Sequence, residues 1–185
     1  MHIFVFFVIT GLWMLEFIYR QQKNQQSPVA TKPLETYTLS SIFVSVVCTI
    51  IVTLTARELH IAQLPEFTIW IGLLVYAIGV SLRWWGILLL GTYFSRHIVV
   101  NSTMQLVSTG PYRVLRHPLY SGLLLCALGI PIALGTWLGL LPGLVLVVPI
   151  LLYRIKIEER HMLQVLGITY EQWSKQRWRL FPYVY

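Results

Sequence analysis

The sequence predicts an all-α, polytopic integral membrane protein with about five transmembrane helices, a carboxyl-terminal helical hairpin and short cytoplasmic helices. Three observations predict it. Hydrophobic residues make up 56% of the 185 residues and charged residues only 11%, against about 25% charged in soluble domains. The apolar residues fall in long uninterrupted runs of membrane-crossing length. The basic residues gather in alternate connections between those runs, as cytoplasmic loops do. The length suits a single membrane-embedded domain, residues 1–185, with no room for a separate soluble one.

The elements follow in order. The first run, Ile3 to Tyr19, is preceded only by His2 and followed by "YRQQKNQQ". A signal peptide would want a basic start and a small-residue cleavage site, so this run reads as a retained span. The second run is about Leu39 to Ala56, and the third about Phe67 to Leu90. As one helix, Leu119 to Tyr153 would be about 52 Å long at 1.5 Å per residue, too long for a hydrocarbon core of about 30 Å. Pro131, Gly135 and Pro142 punctuate it. They predict a helical hairpin with its apex at Gly135-Thr136-Trp137 and arms short enough to sit shallow or thin the bilayer. The last span continues as a helix through "YRIKIEERHMLQVLG" to a stop at Gly167. A second short helix runs from about Thr169 to Trp178, with Tyr170, Trp173 and Trp178 available for the membrane interface, and Pro182 closes the ordered part.

Charge sets the orientation. Arg20, Lys23 and Lys32 follow the first span, Arg57 alone follows the second, and Arg96, Arg113 and Arg116 follow the third. The hairpin apex has no basic residue, and the tail carries Arg154, Lys156, Arg160, Lys175, Arg177 and Arg179. This alternation predicts an amino terminus outside and a carboxyl terminus in the cytoplasm. It also explains the net charge of +7 without nucleic acid, since no basic stripe with interleaved aromatics lies outside the apolar runs. The sequon Asn101-Ser102-Thr103 then falls on the cytoplasmic side. The linker "QQKNQQSPVATKP" reads as polar and mobile. Cys48 and Cys126 sit inside apolar runs as small core residues. No metal-ligand pattern occurs, and with no aspartate in the chain a Ser-His-Asp triad is excluded.

Three polar constellations stand out. "GPYRVLRHPLYSG", residues 110–122, packs two arginines, a histidine and two tyrosines between apolar segments. Pro118 suits the first turn of a helix, and the free N–H groups there favour an anion. Gly122, one turn on, lets another backbone or a ligand approach closely. A charged surface connector would be the plain alternative. Glu158 and Glu159 are adjacent on a helix and point about 100° apart. One can hold Arg154, four residues back, while the other faces the loop and binds an ammonium or a ribose hydroxyl pair. Arg83 lies about 13 Å from the end of the third span, where a charge costs at least about 2.5–3.5 kcal/mol. It is expected to face the bundle interior, binding an anion or carboxylate, or to pair structurally with Glu16 or a backbone carbonyl. His97 and His161 suit interfacial packing.

These residues carry a resemblance. "GPYRVLRHPLYSG", "EERHML", "GITYEQW" and a closing Pro182, with "RWWGILLLGTYFS" upstream, resemble the isoprenylcysteine carboxyl methyltransferase family and its bacterial relatives, in a wider group that includes phospholipid N-methyltransferases. The resemblance covers roughly residues 72–182. Trp173 stands where many members carry a second tyrosine, and the first two spans match no pattern. Two amino-terminal spans and a linker are thus expected in residues 1–60, and the resemblance implies a catalytic core in 67–182. It implies S-adenosylmethionine on the cytoplasmic face, between the loop before the fourth span and the helix after the fifth, and a lipophilic acceptor delivered from the membrane lipid. Carried onto this sequence, the family motif assigns cofactor binding to Tyr112, Arg116, His117, Pro118, Tyr120, Gly122, Glu158 and Glu159.

The chemistry is compatible with that assignment. Arg116 and the helix start suit the cofactor carboxylate, a glutamate its ammonium or ribose, and Tyr120 and His117 its adenine or sulfonium. A carboxylate acceptor is already ionised at pH 7 and needs alignment and a cation, for which Arg83 is the candidate. An amine acceptor would need a base such as Glu159 or a histidine. The expected activity is S-adenosylmethionine-dependent methylation of a lipophilic acceptor, isoprenylcysteine-type carboxyl methylation among the possibilities. Two alternatives remain open on the same scaffold. One is an NADPH-dependent membrane reductase, since sterol reductases resemble the carboxyl-terminal half. The other is a non-enzymatic lipid sensor or transporter.

Overall fold

The computed structural model describes residues 1–24, 33–91 and 106–184, without the side chains of 17–24 and 33–36. Most of the polar linker, Arg96, His97 and the Asn101 sequon lie outside the described residues. Helices α1 (His2–Asn24), α2 (Pro33–Glu58) and α3 (Glu66–Leu90) cover the first three apolar runs. A 3-10 turn, Gly110–Arg113, leads into α4 (Pro118–Ala133). A rod then runs through α5 (Leu140–Pro142), a π turn (Gly143–Val147) and α6 (Val148–Leu166). The π turn immediately precedes the stretch holding Pro149, which has no N–H to give to Val145 and whose ring crowds that carbonyl; a widened turn relieves both. Helix α7 (Ile168–Lys175) follows a sharp break at Gly167, whose φ of +52° favours glycine.

The expected hairpin is present. Its apex falls at Gly135-Thr136-Trp137, with Gly135 at φ +79°. The apex is clamped by the connection between α2 and α3: Leu64 N–H donates to the Gly135 carbonyl at 2.8 Å, and Trp137 N–H to that of Ala62 at 3.1 Å. The short helix expected to reach Trp178 ends at Lys175. Residues beyond it take up backbone pairing with the basic loop, which a helix would forbid.

Three helical segments among the described residues are long and apolar enough to cross a bilayer: Tyr37–Glu58, Glu66–Leu90 and Leu140–Leu166. Two shorter apolar helices, His2–Glu16 and Pro118–Ala133, pack with them. Phe4, Phe7, Phe43, Leu74, Leu88 and Val145 are exposed on the outside of the bundle, as lipid-facing side chains are.

Helices α3 and α4 form the centre. Gly72, Gly79 and Gly86 recur every seventh residue on α3, opposite Gly122 and Gly129 on α4. A Cβ at Gly79 would lie 2.8 Å from the Gly122 carbonyl oxygen, and one at Gly129 would lie 2.6 Å from the Tyr76 nitrogen. The two backbones therefore touch, the close approach that small residues allow between membrane helices. Cys126 is buried in this seam, as expected. Around it cluster Trp13, Leu73, Tyr76, Val80, Ile130, Val147 and Leu151. Helix α1 joins through Trp84, whose indole N–H donates to the Leu12 carbonyl at 2.9 Å. Helix α2 turns a hydroxyl stripe inward. Ser45, Thr49 and Thr53 each donate to the carbonyl four residues back, so the stripe brings no unsatisfied polar group into the core.

Candidate functional site

The basic loop and the acidic pair meet at one end of the bundle. Residues 176–180 hold them together from a third side. Trp178 N–H donates to the Val114 carbonyl at 2.9 Å, Arg116 N–H to Trp178 at 2.7 Å, and His117 N–H to Arg179 at 3.1 Å. Ser121 Oγ of α4 donates to the Leu180 carbonyl at 2.5 Å. The carboxyl-terminal segment thus lies along the loop like a strand.

Arg116 is the staple of this junction. Its Nε donates to the carbonyls of Ser174 (3.0 Å) and Arg177 (2.9 Å), and its NH1 donates to Glu159 Oε1 (2.9 Å). Arg179 Nε reaches Glu159 Oε2 at 3.0 Å. Glu159 is buried, yet it lies beyond Tyr153, where the apolar part of the rod ends. Burial opposes its charge, but the contacts from His117 and Arg116, with Arg179 close by, outweigh it and hold the carboxyl at about 2. Glu159 is therefore ionised at any physiological pH.

His117 sits between the two acids. Its Nδ1 is 3.8 Å from Glu158 Oε2 and its Nε2 is 3.5 Å from Glu159 Oε1. The ring stacks on Tyr120, with centroids 5.7 Å apart. The Tyr120 hydroxyl accepts from Arg154 Nε at 2.9 Å and feels the Glu158 charge. Two buried polar atoms in this region, Glu158 Oε2 and the Tyr170 hydroxyl, have no hydrogen-bond partner among the described residues, and His117 Nε2 has only its 3.5 Å contact with Glu159. Burial, with the Glu159 charge beside it, raises the Tyr170 pKa, so its hydroxyl stays a neutral donor. Among the described residues no three side chains are grouped to hold a metal ion.

The sequence candidates divide. Arg116, His117, Tyr120, Glu158 and Glu159 come together. Tyr112, Pro118 and Gly122 are buried beneath them. The Tyr112 carbonyl accepts from Arg177 at 2.8 Å. The close approach that Gly122 allows is made by α3: a Cβ there would lie 2.6 Å from Arg83 Cγ and 2.7 Å from the Gly79 carbonyl oxygen. Of the partners considered for Arg83, Glu16 and a backbone carbonyl are the ones it meets. Its Nε donates to Glu16 Oε2 at 3.0 Å, its NH2 to Glu16 Oε1 at 2.5 Å, and its NH1 to the Leu119 carbonyl at 2.9 Å. Arg154, expected to pair with a glutamate, donates to Tyr120 and, at 2.6 Å, to Thr38 Oγ1.

Tyr170 corrects one expectation. The interfacial place expected for it is not the one it takes: it is buried, and its hydroxyl feels the charges of Glu159 and Glu158. Arg179 was read only as a marker of the cytoplasmic side. The sequence signal for Tyr170 was its place in "GITYEQW"; Arg179 had none.

Fold and site together define a class: a polytopic helical membrane protein with a mixed-charge, largely buried site at one end of its bundle. The chain belongs to the phospholipid methyltransferase family, whose profile matches residues 67–169. A probable protein-S-isoprenylcysteine O-methyltransferase of Oryza sativa subsp. indica is 28% identical over 120 residues, 64% of this chain and 63% of the rice protein. The protein-S-isoprenylcysteine O-methyltransferase of Schizosaccharomyces pombe is 30% identical over 132 residues, 65% of this chain and 56% of its own. The chain thus spans less than two thirds of the length of these relatives. The solved structure of the eukaryotic intramembrane Ras methyltransferase ICMT (isoprenylcysteine carboxyl methyltransferase) superposes with a TM-score of 0.63 at 23% identity. The match covers 99% of this chain and 68% of that one, so the two share a fold.

Proposed function

We propose that this protein is an integral membrane methyltransferase that binds S-adenosylmethionine between the basic loop and the acidic pair and methylates a lipophilic acceptor. The observation that carries this reading is the pair of buried polar atoms without a hydrogen-bond partner among the described residues, Glu158 Oε2 and the Tyr170 hydroxyl, with the His117 ring set between the two acids. Buried polar atoms are costly unless water or a ligand pairs with them. These two offer an anionic acceptor and a hydroxyl donor, suited to an ammonium and to carboxylate or ribose oxygens. The cofactor, when bound, supplies a methyl group activated on a sulfonium.

Each side chain has a task in this reading. Glu158 binds cationic or hydroxyl groups with its open Oε2. Tyr170 donates to an oxygen of the cofactor. The stacked His117 and Tyr120 rings present an aromatic and electron-rich wall to the sulfonium. Glu159 spends both oxygens on arginines, so its role is to fix Arg116 and Arg179 and to keep the local potential negative. We assign Arg83 to positioning, because its guanidinium is already held by Glu16 and Leu119. The acceptor reaches the site from the lipid, and transfer relies on alignment and exclusion of water. An acceptor that must lose a proton has His117, held between two carboxylates, as its base. An isoprenylcysteine-type carboxylate would need none. The same reading takes all five helical segments as spans, with the site and the carboxyl terminus cytoplasmic.

The test is titration of detergent-purified protein with S-adenosylhomocysteine, and separately with NADPH. Binding of the first and not the second is expected. Glu158→Gln should weaken it about tenfold or more, the loss of a charge-assisted hydrogen bond of roughly 1.5–3 kcal/mol. Tyr170→Phe should cost about threefold to tenfold, as for a neutral bond. No heat and no thermal stabilisation at millimolar ligand would sink the proposal, as would preferential binding of NADPH.

A further inference from the structure

We infer that α1 and α2 set the position of the first turn of α4, and with it one wall of the proposed cofactor site, through two buried arginines. Arg83 of α3 and Arg154 of α6 are both buried. Each joins an amino-terminal helix to the start of α4. Arg83 is gripped by Glu16 of α1 and donates to the Leu119 carbonyl. Arg154 donates to the Thr38 hydroxyl of α2 and to the Tyr120 hydroxyl. The two relays therefore end on consecutive residues, Leu119 and Tyr120.

The family profile, residues 67–169, includes both arginines and both α4 residues but neither Glu16 nor Thr38. The amino-terminal helices thus supply polar partners that the matched segment lacks. Helices serving only as anchors would need none. Ionisable groups in apolar surroundings are expensive and are kept where they hold one arrangement against others. Gly122 makes the arrangement stiff, because Arg83 Cγ fills the place a Cβ would take there. Leu119 cannot shift without moving Tyr120, and Tyr120 carries the stack on His117 and the contact with Glu158. Glu16 and Thr38 are positioning residues and do not touch the cofactor.

The part of this inference that concerns the cofactor rests on the methyltransferase reading, so the experiment has two arms. The first is hydrogen exchange of the ligand-free protein in detergent, comparing the native chain with Glu16→Gln, Thr38→Val and Thr38→Ser. Amides of residues 119–124 should exchange about tenfold faster in the first two variants, as in a local opening. The hairpin apex should be unaffected, and Thr38→Ser should restore the native rate. Unchanged exchange at 119–124 in both variants overturns the inference, and so does a uniform increase over all helices, the mark of general loosening. The second arm is affinity for S-adenosylhomocysteine well below the unfolding temperature. It should fall about fivefold or more in Thr38→Val and recover in Thr38→Ser, as loss of the hydroxyl that accepts from the Arg154 guanidinium predicts. Variant affinities equal to the native one overturn the inference. If the native chain does not bind while the exchange arm gives the expected pattern, the methyltransferase reading falls and the structural relay stands.

Discussion

Glu159 ties two segments of the site to α6. Two arginines from different segments end on its two oxygens, and Arg116 in turn holds the carbonyls of Ser174 and Arg177. Glu159→Gln should therefore loosen the loop, α6 and the tail together. The expected loss of stability is about 3–5 kcal/mol, as when one partner of a buried pair is removed, read as a fall in thermal unfolding temperature. Its depressed pKa sets the pH dependence. The ionised form is favoured in the folded state, so its stabilisation is full above the ordinary value of 4.5 and is lost as pH falls towards about 2. Exchange protection of residues 114–117 should be flat from pH 8 to 5 and decline below about 4.5; a decline centred near 6 would mean that a histidine, not Glu159, controls the junction.

At the level of elements, the decisive contact is the α3–α4 seam. Its glycines let two membrane helices touch along their length, and this brings Arg83 of one against Leu119 of the other. Gly129→Ala would place a methyl group 2.6 Å from a backbone nitrogen of α3. Neither side can yield without moving a helix, so a destabilisation of about 1–3 kcal/mol or more is expected. Gly11→Ala on α1 meets nothing within 4 Å and should be neutral or stabilise by up to about 1 kcal/mol through helix propensity. Thermal unfolding of the pair in one detergent checks both. The apolar helices themselves were legible in the sequence, three of them long enough to cross a bilayer, because a long apolar run is a local property. The apex at Gly135 and the stop at Gly167 were legible too, since both need a backbone conformation that glycine supplies.

For the whole molecule, the proposed orientation puts the site on the cytoplasmic side and the connection between α2 and α3 outside. An impermeant thiol reagent on sealed vesicles tests it. Lys175→Cys should react only from the cytoplasmic face and Gln63→Cys only from the opposite one; both positions are exposed. Labelling of both from the same face would reverse or reject the five-span reading. Native Cys126 is buried in the α3–α4 seam and should stay silent.

By itself the sequence determined the helical membrane class, the turn at Gly135 and the stop at Gly167, and it singled out "RHPLYSG" and "EE" as the segments of the proposed site. These are local matters of hydropathy, turn chemistry and short motifs. Only the tertiary structure decided which charge meets which. It gave Arg83 to Glu16, Arg154 to Tyr120 and Thr38, and Glu159 to Arg116 and Arg179, and it left Glu158 and Tyr170 with open atoms. The reason is physical. A charge in an apolar bundle takes whatever partner the packing of distant helices brings within about 3 Å. The backbone pairing that carries Arg179 to Glu159 uses N–H and carbonyl groups common to nearly every residue, so no side-chain pattern announces it.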